Sequence, residues 1–166
     1  MALDPFIQDA ALLIFAVLLI VSAAEDVRRL IIPNRYCLAI AFLFPAYLLA
    51  APAPVDWQGA AAVAAASLAV GFVFFAMRVA GGGDVKLFAA TALWAGPSLF
   101  PEFLMVTSVI GAGIGLALLA HRRLVRVSAA AVDAPAEARK GLPPIPYGVA
   151  IAVGGLHVAA AHFLKG

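Results

Sequence analysis

Six long stretches almost free of charge constrain this chain more than any other feature. Residues 7–24, 36–50, 58–77, 85–99, 103–120 and 145–164 hold no Asp, Glu, Lys or Arg except Asp9 and Lys86, each near the start of its run. At 1.5 Å rise per residue, an 18-residue run such as the first extends about 27 Å, close to the roughly 30 Å hydrocarbon core of a bilayer. The second and fourth runs are shorter and need flanking residues to cross. With 65% of its 166 residues apolar and 12% charged, the chain has the composition of an integral membrane protein rather than a soluble domain. The expected fold class is therefore an all-α polytopic membrane protein of six transmembrane helices forming one membrane-embedded unit over 1–166.

The few charges are informative by position, because cytoplasmic loops retain Lys and Arg. Arg28, Arg29 and Arg35 fall in the first loop, Arg78 and Lys86 flank the third, and Arg122, Arg123, Arg126, Arg139 and Lys140 lie in the fifth. The second loop (APAPVD) and the fourth (around PSLFPE) have none. Six spans with both termini outside place ten of the eleven basic residues on one side and leave Lys165 opposite. The long segment 121–144 is expected to be a basic cytoplasmic loop lying on anionic lipid. The opening MALDPFIQD has acids and no basic residue, unlike a secretory signal, so the first run is expected to be retained.

Several functions are excluded at this stage. So few charges among long apolar runs cannot build a nucleic-acid surface. Cys37 is the single cysteine, which rules out an intrachain disulfide and a thiolate zinc site. His121, His157 and His162 have no i,i+4 pairing that would suggest a metal site. Small residues crowd the third, fifth and sixth runs, and Gly111 with Gly115 forms a GxxxG, suited to close packing within the bundle or to a homo-oligomer face.

Two carboxylates need a reason, since an acid at a helix centre costs about 2.5–3.5 kcal/mol on insertion scales and less near the interface. Asp26 ends the first span and Asp84 opens the fourth. The loop charges put both at the cytoplasmic ends of their helices, hence at one depth. Two acids sharing a site cannot both ionise cheaply, so they titrate in separate steps and one proton remains between them. Such a pair can hydrolyse a peptide: the ionised member takes a proton from water while the protonated member polarises the carbonyl and then supplies the leaving amine. No metal or cofactor is required.

The surroundings suit that chemistry. Gly81, Gly82 and Gly83 are poor helix formers, which predicts an unwound or sharply turned chain just before Asp84, with backbone donors exposed to a substrate strand. Pro33 ends the first loop and leaves Asn34 to cap the second span. Lys86 either anchors at the interface or holds a substrate carbonyl, and the anchor is the favoured role. Taken singly, Asp26 reads equally as an acid neutralised by Arg28 or Arg29, and Asp84 as a helix cap. Glu25 lies about 100° around the helix from Asp26 and is expected to face headgroups or an arginine.

D-V-R-R-L-I-I-P-N (26–34), G-G-G-D-V-K-L (81–87) and, near the end, I-P-Y-G-V-A-I-A-V-G-G (145–155) together resemble the type IV prepilin peptidase family. The likeness runs in order along nearly the whole chain and is closest to the small Flp/Tad-type members. It implies an intramembrane aspartic endopeptidase that removes the basic leader from prepilins, substrates with an apolar N-terminal helix, at the cytoplasmic edge of a bacterial inner membrane. Asp26 and Asp84 match the family's catalytic aspartates, and Gly81 and Gly83 the glycines of its second motif. Larger members carry a segment with paired Cys-x-x-Cys motifs linked to methylating the new N-terminus; with one cysteine, methyltransferase activity is not expected. The competing classes are a small proton-coupled transporter, which would place ionisable groups near the midplane, and a non-catalytic assembly subunit, in which both aspartates tolerate replacement.

Overall fold

The computed structural model describes residues 5–51, 54–129 and 146–164. Among them every regular element is helical: α1 (Pro5–Arg29), α2 (Asn34–Ala50), α3 (Trp57–Ala76), α4 (Gly82–Ala129) and α5 (Tyr147–Phe163). Phe6–Arg29, Trp57–Ala76 and Gly82–His121 are long and apolar enough to cross a membrane, and Asn34–Ala50 and Tyr147–Phe163 are shorter apolar helices. The all-α expectation holds.

The fourth and fifth expected spans are a single element broken at one residue. Gly96 has φ 56° and ψ −175°, a conformation essentially reserved for glycine. In a straight helix Phe88 and Phe103 would be separated by about 22 Å, yet their ring centroids are 4.8 Å apart. The chain therefore folds back at Gly96 into two arms, 82–95 and 97–129. The loop expected around PSLFPE is thus corrected to a one-residue break followed by helix. Pro97 is the reason, because it opens the second arm, where its missing N–H has no helical partner to lose.

The first part of the expected loop over 121–144 is helix. His121 to Ala129 continue α4, in a stretch free of Gly and Pro, and 130–144 lie outside the described residues.

The arms are held by a core centred on Trp94, which is 1% exposed. Its ring stacks on Phe15 of α1 at 4.2 Å, and its indole N–H donates to the Ile40 carbonyl of α2 at 2.9 Å. Three helices are thereby fixed around one side chain. The break at Gly96 leaves the last carbonyls of the first arm without helical partners, and His162 of α5 supplies one: its Nε2 donates to the Trp94 carbonyl at 2.8 Å, while its Nδ1 is hydrogen-bonded with the Tyr47 hydroxyl at 3.0 Å.

α5 runs between α1 and α4 on small residues. A Cβ at Gly155 would sit 2.6 Å from Leu19 Cδ1 and 2.8 Å from Thr91 Cγ2, so only glycine allows that approach. Gly111 of the GxxxG packs on Tyr147 and Ala150 of α5, so this glycine serves packing within the chain. By contrast, among the described residues α3 packs extensively only against α4.

Candidate active site

The last turn of α1 carries Asp26, which is 5% exposed. The helix closes with Leu30 in the left-handed region, φ 54°, its N–H donating to the Asp26 carbonyl at 2.8 Å. That reversal sends Ile31 and Ile32 across the end of α1, and Pro33, extended at φ −62° and ψ 135°, feeds α2. The chain thus returns over Asp26 instead of leaving it at the surface.

Asp84 is the third residue of α4. Its carboxyl group accepts from the Gly81 N–H, the side-chain half of a capping box that satisfies a donor just ahead of the helix. The two acids meet across a cavity of about 230 Å³ lined by Asp26, Leu30, Ile31, Ile32 and the run from Gly81 to Asp84. Residues 58 positions apart in sequence thus share one small space.

The glycines permit this by closeness rather than by unwinding. The expected unwound or sharply turned chain just before Asp84 is a turn: Arg78 has φ 59°, the non-helical stretch ends at Gly81, and Gly82 and Gly83 are already helical. A Cβ at Gly83 would lie 3.0 Å from Ile32 Cβ and 3.3 Å from the Ile32 backbone N and O. The α1–α2 connection can therefore rest directly on the first turn of α4, which draws Asp84 toward Asp26.

The other expected site residues are placed as follows. Lys86 Nζ donates to Asn34 Oδ1 at 3.0 Å, tying the start of α2 to α4. Asn34 does not cap α2: Pro33 occupies the cap position and Asn34 is the first helical residue, so its amide is turned to the lysine instead. Glu25 pairs with Arg29 at 3.3 Å, leaving that arginine engaged away from Asp26.

A short hydrogen bond to Asp26 comes from a residue absent from the sequence-derived site. The Gly148 N–H, at the start of α5, donates to Asp26 Oδ2 at 2.7 Å. A Cβ at Gly148 would stand 2.7 Å from that oxygen and 2.9 Å from Asp26 Cβ, so only glycine can bring its amide this near. The signal was present in I-P-Y-G: Pro146 caps the helix and Gly148 falls in its first turn, where N–H groups are free.

The site is that of a membrane-type helical protein with an acid pair at the ends of its helices. Residues 13–116 match the type IV leader peptidase family, and the chain belongs to that family. A prepilin leader peptidase/N-methyltransferase from Bacillus subtilis (strain 168) is 31% identical over 150 residues, covering 86% of this chain and 52% of that protein. The chain therefore spans about half the length of this curated relative. No solved structure gives a significant match.

Proposed function

We propose that this chain is an intramembrane aspartic endopeptidase that cleaves the basic leader from type IV prepilins of the Flp/Tad kind, with Asp26 and Asp84 as its catalytic pair. The observation that carries the reading is that both acids line one small cavity although they arise from the end of α1 and the start of α4. Family membership supports it independently.

In this mechanism the two carboxyl groups hold one proton. The ionised member takes a proton from the attacking water, and the other polarises the scissile carbonyl and then protonates the leaving amine. The Gly148 N–H orients Asp26, and the Gly81 N–H orients Asp84. Gly81, Gly82 and Gly83 let a substrate strand lie close, while Pro33, Asn34 and Lys86 keep the α1–α2 connection against α4. Neither metal nor cofactor takes part.

The two arms of α4, counted separately, give six spans. Ten of the eleven basic residues then face the cytoplasm, both termini lie outside, and the acid pair sits at the cytoplasmic rim of the inner membrane. A substrate helix enters from the bilayer with its leader in the cytoplasm. The proposal covers cleavage and not methylation.

The test is processing of a co-reconstituted prepilin by Asp26→Asn and Asp84→Asn. Each should lose at least about 10²–10⁴-fold in rate, the usual contribution of general acid–base groups, with unchanged membrane insertion and abundance. Normal processing by either variant would remove the assignment.

A further inference from the structure

A second cavity, of about 550 Å³, opens between α3 and the second arm of α4, and Asp84 lines it as well as the smaller one. Val70 and Phe74 form its α3 wall, Leu104 its α4 wall, and Ile151 of α5 its floor. From Ala66 to Phe74 the α3 wall runs over nine residues, about 12 Å or two helical turns. We infer that this groove seats the first two turns of the apolar helix that follows the scissile bond in the substrate. This rests on the peptidase reading and identifies the face by which the substrate is held.

Three observations carry it. The first is continuity: Asp84 belongs to both spaces, so a helix lying in the groove delivers its cytoplasmic end to the acid pair without crossing a packed helix. The second is access. Among the described residues α3 packs extensively only against α4, so the groove is bounded on one side by a helix with a single firm neighbour there, a wall a substrate helix can pass from the bilayer. The third is the wall itself. Ala66 and Ser67 present small side chains, which let a helix backbone approach closely. Ser67 and Thr107 also line the groove, and their hydroxyl oxygens are enclosed without a hydrogen-bond partner, so the walls stay largely apolar toward an incoming helix.

The experiment uses the full-length protein in proteoliposomes with a prepilin. Benzoylphenylalanine is placed singly at Val70 and Leu104, and for comparison at Val17 and Leu49, which are exposed on α1 and α2. Photolysis should cross-link the prepilin from 70 and 104 through the first eight to ten residues of its mature helix, with little product from 17 or 49. In parallel, Ala66→Trp fills the groove away from the acids and should raise KM about tenfold with kcat within about twofold, the pattern of lost substrate binding rather than lost chemistry. Cross-linking from 17 or 49 in place of 70 and 104, or an Ala66→Trp variant with unchanged KM, overturns the groove. A wild-type protein that leaves the prepilin uncut overturns the peptidase reading instead, so the two failures are distinguishable.

Discussion

The Asp26 carboxylate accepts the backbone N–H of Gly148 at 2.7 Å, across 122 residues of sequence. This bond joins the last turn of α1 to the first turn of α5 and makes the orientation of Asp26 depend on a residue with no side chain of its own. The positive end of α5 also faces the carboxylate, an arrangement favourable to negative charge.

Gly148→Ala tests that dependence. The added methyl would fall within 3.0 Å of three Asp26 atoms, so either the acid or the helix must move. Hydrogen bonds to charged groups contribute about 1.5–3 kcal/mol, which corresponds to a loss of roughly 10–100-fold in kcat/KM. Cleavage kinetics on a purified prepilin would read it. Wild-type kinetics in the alanine variant would show that this bond does not position the acid.

The acid pair makes a directional statement about pH. Activity requires one proton on two carboxyl groups, so it should fall toward alkaline pH as that proton is lost and toward acid as a second is gained, a bell-shaped profile. In either single Asp→Asn variant the residual rate should no longer follow that bell. Chelators should leave the wild-type rate unchanged. A rate constant from mildly acidic to strongly alkaline pH contradicts the two-carboxylate mechanism.

Much of this was readable from sequence, and the exceptions have physical causes. Hydropathy located α1, α2, α3, the first arm of α4 and α5 to within a few residues, since the bilayer imposes length and apolarity on each, but the second arm of α4 begins and ends well outside the run 103–120. Asp26 and Asp84 stood out because a carboxylate beside lipid is costly wherever it occurs. The break at Gly96 was misplaced into PSLFPE, because two prolines read as a loop when they in fact open a helix. Gly148 escaped notice because its contribution is a backbone N–H and an absent Cβ, and neither has a signature until the contact partner is known. The pairing of Asn34 with Lys86 was missed for a related reason: the cap rule is local, and the competing partner is 52 residues away.

That pairing should be structural and minor. Lys86 and Asn34 are both exposed, and their bond of 3.0 Å is of ordinary length. Lys86→Met and Asn34→Ala should each lower stability by at most about 1 kcal/mol. A double-mutant cycle on thermal unfolding in detergent should return most of that loss as coupling between the two. If Lys86 instead held a substrate carbonyl, Lys86→Met would raise KM while Asn34→Ala would not.

Gly96 sets the fold-back of α4, and its replacement separates backbone strain from crowding. A Cβ there would meet only Ala60 Cβ at 3.7 Å, an ordinary contact, so space is not the obstacle. The conformation at φ 56° and ψ −175° is, and forcing a side chain into it costs on the order of 1–3 kcal/mol. Gly113 provides the contrast: it is helical, and a Cβ would meet nothing within 4 Å. Gly113→Ala should therefore be neutral or stabilising by up to about 1 kcal/mol, the difference in helix propensity. Gly96→Ala should lower the unfolding midpoint in detergent and weaken the contact between Phe88 and Phe103 that closes the hairpin. Equal midpoints for the two variants would mean that α4 reverses without needing the glycine, and that the arms are brought together by packing alone.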